Sequence, residues 1–158
     1  MSRAASFPLP ARDPCPFCEY VSRGVTHDGH RVAIVSDRPA TLSFVDLKPH
    51  RPGHVLVISK RHAPTLLDLD AQEMGEVMLH AQDVVRAQLA VFGAEGVNAF
   101  QNNGLAAGQS VPHYHLHLVP RRPGDDMRFR PERERAVAAE DDRRAIATRL
   151  REALTSEP

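Results

Sequence analysis

Gln109-Ser110-Val111-Pro112-His113-Tyr114-His115-Leu116-His117-Leu118-Val119-Pro120-Arg121 is the stretch from which the rest of the chain is read. Successive side chains of a β-strand point to opposite faces, so His113, His115 and His117 share one face while Tyr114, Leu116 and Leu118 share the other. The apolar face belongs in a core. The imidazole face is suited to chemistry, because neutral imidazole is a common metal ligand and, near neutral pH, a nucleophile or proton carrier. A single strand histidine is usually an ordinary hydrogen-bonded side chain. Three in strict alternation, between a Gly-Gln-Ser lead and a Pro-Arg exit, mark a reaction site.

Upstream, residues 97–101 predict a strand, joined to the histidine strand by the small-residue loop 102–108. Asp70 with Glu73 three residues on forms a helix start signal, and Gly93 ends the helix. Along it Met74, Val77, Met78, Ala81, Val84, Val85 and Leu89 define an apolar face, with the two methionines read as core filler. Residues 55–58 form a short β-branched run after a turn cluster, so a buried strand is expected with His54 at its mouth. Residues 31–36 and 40–46 predict two more strands about an Asp-Arg-Pro turn, with Asp46 closing the second. Downstream, six arginines fall within 121–135; such a run is either a solvated surface or a contact for a bound polyanion, and both readings stay open. A charged helix is expected over about 132–154.

The chain has 158 residues, enough for one domain with a real core. Residues 1–13 read as a flexible lead-in, 14–124 as the main domain and 125–158 as an arginine-rich segment with a helix. Lys plus Arg number 20 and Asp plus Glu also 20, so nothing resembles the basic excess of a nucleic-acid binder, and no nucleic-acid polymer is expected as partner. No apolar run is long enough to span a bilayer, so no membrane partner is expected and a cytoplasmic location is. Cys15-Pro16-Phe17-Cys18 reads, in a reducing compartment, as a metal half-site or a redox pair.

With these residues placed, the sequence resembles the histidine triad family of nucleotidyl hydrolases and transferases. The likeness rests on Gly108-Gln109-Ser110-Val111, the His113 to His117 triad and Val119-Pro120-Arg121, together with Phe44-Val45-Asp46, Pro52-Gly53-His54-Val55-Leu56-Val57-Ile58 and Lys60-Arg61-His62. It extends over about residues 15–124. The fold it implies is α+β, a five-stranded antiparallel sheet crossed by a long helix, with a C-terminal helix, paired into a homodimer. The loop before the triad and the basic segment after it resemble the fragile-histidine-triad branch, whose substrates are dinucleoside polyphosphates. Other branches act on nucleoside phosphoramidates or work by phosphorolysis.

The resemblance implies that His115 attacks the α-phosphorus of a purine nucleotide or dinucleoside polyphosphate, and that water hydrolyses the nucleotidyl-histidine. It assigns His117 to phosphate oxygens or the leaving group, Ser110 and Gln109 to the phosphate and its bridging oxygen, and Asn102 to the α-phosphate. Asp46 would accept from the ribose hydroxyls, with Phe44 and Leu47 near the base. A structural zinc is implied on Cys15, Cys18, His54 and His113, a closed tetrahedral set, and no organic cofactor. Two other classes remain: a non-catalytic nucleotide-binding or regulatory module, and a metalloenzyme with all three triad histidines on one metal.

Overall fold

The computed structural model describes residues 6–156. The elements run α1 (Pro16–Arg23), β1 (Ile34–Asp37), β2 (Thr41–Val45), β3 (Val55–Ser59), α2 (Ala71–Phe92), β4 (Gly96–Phe100), β5 (His115–Arg121) and α3 (Glu140–Thr155). The five strands form one sheet in the order β1-β2-β3-β5-β4, and every neighbouring pair is antiparallel. The α+β architecture with a long helix across the sheet is therefore the one expected from the sequence.

Pleating sorts the sheet into two covered faces. Val45, Val55, Val57, Leu116 and Leu118 pack under α2 and α3 with Val77, Val84 and Leu150. On the opposite face Leu42, Phe44, Leu56 and Ile58 pack with Phe17 and Tyr20 of α1. Because β3 is covered on both sides, Val55-Leu56-Val57-Ile58 reads as a continuous apolar run, whereas the equally buried β2 carries Thr41 and Ser43 between its apolar residues. His115 and His117 lie on the α1 side, with the Phe17 ring edge-on to His115 at 5.2 Å. The long helices thus support the sheet from behind, and the histidines face away from them.

Helix α2 starts and stops where the sequence places it. Asp70 accepts from the Glu73 amide (2.8 Å), Glu73 accepts from the Asp70 amide (3.0 Å), and Gly93 takes the left-handed conformation at φ 55°. Its buried face differs from the expected one: Met78 is 48% exposed and Leu89 42%. The stripe that meets the sheet is Val77, His80, Ala81, Val84, Ala87 and Gln88, a strict helical spacing that carries two polar residues inward. Both have partners there. His80 Nδ1 lies 2.8 Å from the Thr41 hydroxyl, and Gln88 Nε2 donates to the Gly53 and Leu118 carbonyls at 2.8 and 3.0 Å.

Two further elements depart from the sequence reading. Cys-Pro-Phe-Cys is the first turn of α1, with Pro16 at the start and Gly24 left-handed (φ 71°) at the end, the usual proline-first, glycine-last asymmetry. The C-terminal helix begins at Glu140 rather than near 132, because residues 135–139 run extended and the Ala138 amide donates to the Leu47 carbonyl (2.9 Å). Its acidic first turn, Glu140, Asp141 and Asp142, suits the positive end of a helix. The segment ahead of it is a strap, tied across the end of β2. Of the expected lead-in, residues 1–5 lie outside the described residues; farther along, the Pro8 carbonyl accepts from the Leu105 amide (2.9 Å).

Candidate active site

The antiparallel register of β3 and β5 separates the histidines into two groups. Val55 faces Leu118 and Ile58 faces His115, so the start of β3 lies at the far end of β5 from His113, and the residues after Ser59 run beside His113. The Tyr114 amide donates to the Ala63 carbonyl (2.6 Å), and Arg61 is clamped by Glu73 (2.6 Å) and the Asp68 carbonyl (2.6 Å). His62 is therefore held beside His113.

At that end four donors converge: Cys15 and Cys18 Sγ each lie 3.6 Å from His113 Nδ1, and His62 Nδ1 lies 3.2 Å from Cys18 Sγ. All four ligand atoms fall within 4.8 Å of one another. Zinc bonds of about 2.0–2.3 Å at tetrahedral angles set donors roughly 3.3–3.8 Å apart, so the set fits the ion. His113 Nε2 donates to the Ser59 carbonyl (2.7 Å), which leaves the Nδ1 lone pair for the thiol side, the usual outer-shell arrangement of a metal-ligating histidine. Burial and the neighbouring Cys15 push the Cys18 thiol up to about 12, so a cation is needed to hold that sulfur as a thiolate. The expected fourth ligand is corrected here: His54 is not brought to the cysteines, and His62 stands in its place. The physical reason is the register, which sends the first residue of an antiparallel strand to the wrong end of its partner.

His54 instead joins the other group. Its Nε2 lies 3.0 Å from His117 Nδ1, and its Nδ1 accepts the His50 amide at 3.1 Å and lies 3.2 Å from the Asp46 carboxylate. Burial pushes His54 down to about 4, so the ring is neutral at pH 7; with Nδ1 accepting from His50, Nε2 carries the proton and donates to His117. His117, stacked on Phe100 at 4.5 Å, is held well below the usual imidazole value by burial and by its His115 and His54 neighbours. His115 Nδ1 donates to the His113 carbonyl (2.6 Å), which leaves Nε2 as the basic nitrogen. Burial also lowers the pKa of His115, against the opposing pull of that carbonyl. The three triad rings do not converge: His113 faces the thiols, His115 its own backbone and the cavity, His117 faces His54. One metal shared by all three is thereby excluded by the directions of their nitrogens.

Two cavities open on this face, of about 400 and 480 Å³, and Ser110, His115, His117, Glu132 and Arg135 form the wall that both share. The first is lined by Phe17, Tyr20, Phe44, Leu47 and Leu56 with Asp46 at its edge. The second is lined by Phe100, Phe129, His50 and Asn102. Both are of ligand size. Asn102 has no side-chain hydrogen bond among the described residues and faces the second cavity, while the amides of Gln101 and Asn103 pair with each other (2.6 and 2.9 Å).

Gln109 does not present its amide to a ligand. Its Nε2 donates to the Pro64 and Val111 carbonyls (2.6 and 2.9 Å) and its Oε1 accepts the Gly104 amide (2.7 Å), so all its capacity is spent holding the loop. Asp46 accepts from the Lys48 amide (3.1 Å) and from Arg135 (2.9 Å). Burial works to raise this carboxyl, but the His54 ring once it charges near pH 4, the Arg135 charge and the Lys48 amide outweigh it, and it stays ionised. Glu132 pairs with Lys48 and Arg12, each at 3.4 Å. The strap residues Glu132 and Arg135 were not singled out in the sequence, because their reach across the sheet depends on contacts some ninety residues apart. For His62 a signal did exist: it follows a buried strand by three positions, on the side that an antiparallel partner would put against His113.

The family model of the HIT domain matches residues 29–124. The chain belongs to the histidine triad (HIT) family. It is 42% identical over 83 residues to the bis(5′-nucleosyl)-tetraphosphatase (asymmetrical) of Schizosaccharomyces pombe, a match covering 52% of this chain and 46% of that protein. It therefore spans only about half the length of that relative. An uncharacterised HIT-like protein of Mycobacterium tuberculosis is 32% identical over 145 residues, covering 91% of this chain and 95% of its own. Among solved structures, a zinc-bound histidine triad family protein from Mycobacterium smegmatis superposes with a TM-score of 0.75 at 33% identity, over 90% of this chain and 94% of that one.

Proposed function

We propose that this HIT protein is a nucleotidyl hydrolase that cleaves at the α-phosphate of dinucleoside polyphosphates or nucleoside phosphoramidates. The observation that carries the reading is the His115 ring, neutral, locked through Nδ1 on the His113 carbonyl and placed with a free Nε2 on the wall between two ligand-sized cavities. His115 Nε2 attacks the α-phosphorus; the bond to the bridging oxygen or nitrogen breaks, and the leaving group carries off the electron pair. His117, whose Nδ1 accepts from His54, keeps its proton on Nε2 and stabilises the departing charge as a hydrogen-bond donor, while any proton the leaving group takes up comes from solvent. Water then attacks the phosphorus of the nucleotidyl-histidine, its proton passing to solvent, and the P–N bond breaks to release a nucleoside monophosphate and the neutral imidazole. Splitting one displacement into two is what a covalent nucleophile contributes, and the remaining work is placing donors around a loose phosphoryl transition state.

Asp46 serves the ribose, Phe44 and Leu47 the base, and Ser110 and Asn102 the phosphate; Gln109 supports by holding the loop. Cys15, Cys18, His62 and His113 hold a structural zinc that ties α1 to the start of β5. The protein works as a homodimer: β4 is a sheet edge with β5 as its one partner, and α2 leaves Met78, Leu79 and Leu89 exposed. Free thiols at Cys15 and Cys18 suit a reducing, cytoplasmic setting. No helix among the described residues is long and apolar enough to cross a membrane.

The test is incubation with diadenosine tetraphosphate, diadenosine triphosphate and adenosine 5′-phosphoramidate, in phosphate and in phosphate-free buffer, with chromatography of the products. AMP as a product in both buffers is expected. ADP formed only when phosphate is present would show phosphorolysis, and binding without turnover of any substrate would leave a binding module.

A further inference from the structure

We propose that Arg135, delivered by the strap that precedes α3, is a substrate-binding residue whose guanidinium holds the phosphate that His115 attacks. This rests on the nucleotidyl reading above and adds to it a cationic contact from outside the strands that carry the histidines. Only 9% of the Arg135 side chain is exposed, yet neither Nε nor Nη2 makes a hydrogen bond among the described residues. Nη1 is committed to Asp46 (2.9 Å) and to the Lys48 carbonyl, whereas Nε is buried with no hydrogen-bond partner. Such a donor costs folding free energy unless something occupies it.

Position says what the guanidinium as a whole would hold. A phosphate bonded to His115 must sit at the wall common to both cavities, with the nucleoside on one side and the rest of the substrate on the other. Arg135 lines both cavities, as His115 does. The carboxylates facing it are Asp46, to which it is bonded, and Glu132, which pairs with Arg12 and Lys48. The guanidinium therefore retains positive charge toward an arriving anion. A planar fork with one edge on Asp46 can turn another toward a phosphoryl oxygen, so its contact with the ligand is to the phosphate. Cations at such a point stabilise charge on a transferring phosphoryl group.

Binding, not turnover, tests this, so that a failure here is separable from a failure of the hydrolase reading. Adenosine and AMP are titrated calorimetrically into the zinc-replete full chain, into Arg135→Met and into Arg135→Lys, with melting temperatures as a check on folding. Arg135→Met is expected to weaken AMP by about ten- to a hundredfold, the loss of a charged hydrogen bond, with adenosine changed by no more than about threefold. Arg135→Lys keeps a charge without the fork and should fall between. Should the methionine variant fail to fold, the lysine variant decides by the same criterion, AMP weakened selectively against adenosine. Equal losses for both ligands would reduce Arg135 to a strut for the strap, and no loss for either would remove it from the site. Wild-type protein that binds neither ligand overturns the nucleotide reading and this proposal together.

Discussion

The two ends of the β3–β5 ladder carry the same residue type and do opposite work. At one end His113 and His62 turn nitrogen lone pairs toward two thiols; at the other His54 and His117 pass a hydrogen bond to each other beside a carboxylate. Both His113 and His54 are fully buried and both are pushed down to about 4 by that burial. Neither burial nor protonation state separates them. What does is the group on the second nitrogen: a backbone carbonyl that leaves His113 Nδ1 free to ligate a metal, and a backbone amide that turns His54 Nε2 as a donor toward His117. His115 stands between the two ends and belongs to neither, with its proton parked on the main chain.

The largest expected effect strikes that middle residue. His115→Ala should lower turnover by on the order of 10³- to 10⁶-fold while nucleotide binding stays measurable, as removal of a covalent nucleophile does. Turnover above a few per cent of wild type, in steady-state assays of equally folded protein, would move the nucleophile elsewhere.

Next in size is the metal end. Cys18→Ser should abolish zinc binding and lower the melting temperature by several degrees or more, since metal-binding free energy at a structural site is folding free energy. Turnover per folded molecule should fall far less than in His115→Ala. An unchanged melting curve would leave the four donors as a fortuitous cluster.

Smaller effects come from pH. His115 and His117 titrate below the ordinary imidazole value, so the base form persists as pH falls, and turnover should hold from pH 8 down past 6.5, where an unperturbed histidine would be half protonated. A pH–rate profile with its acid limb centred at 6.5 or above would contradict the buried, neutral triad. Stability follows the same sign. His54 and His80 are pushed from 6.5 down to about 4 by burial, so between those values the unfolded chain binds more protons than the folded one. Their contribution is intact above pH 6.5 and is lost as pH falls toward 4, which denaturant titrations at pH 7 and pH 5 would resolve.

Much of this is readable from residues alone, and the departures arise where contacts distant in sequence or buried polar partners decide. The alternation of His113, His115 and His117 specified a strand with a chemical face, and Asp70, Glu73 and Gly93 specified the long helix to the residue, because pleat and capping are local rules. Which histidine stands beside the cysteines, His62 rather than the expected His54, depends on strand register, a pairing of residues more than fifty positions apart. The inward face of α2 was misjudged by counting apolar residues only, when His80 and Gln88 go inside with their partners on the sheet. Gln109 looked like a phosphate ligand, yet its amide is consumed by the Pro64, Val111 and Gly104 backbone. Arg135 belongs to the arginine run of 121–135 that reads as surface or polyanion contact, but nothing local separates it from the other five arginines.

The division of β5 into a metal end and a chemical end is tested most directly by measuring zinc content and turnover side by side in His62→Ala and His54→Ala. His62→Ala should retain little of the roughly one zinc per chain expected for a single structural site, while keeping most of its turnover per folded molecule. His54→Ala should keep its zinc and lose turnover, because His117 would lack the donor that fixes its tautomer. Zinc lost from His54→Ala and retained in His62→Ala would contradict the account.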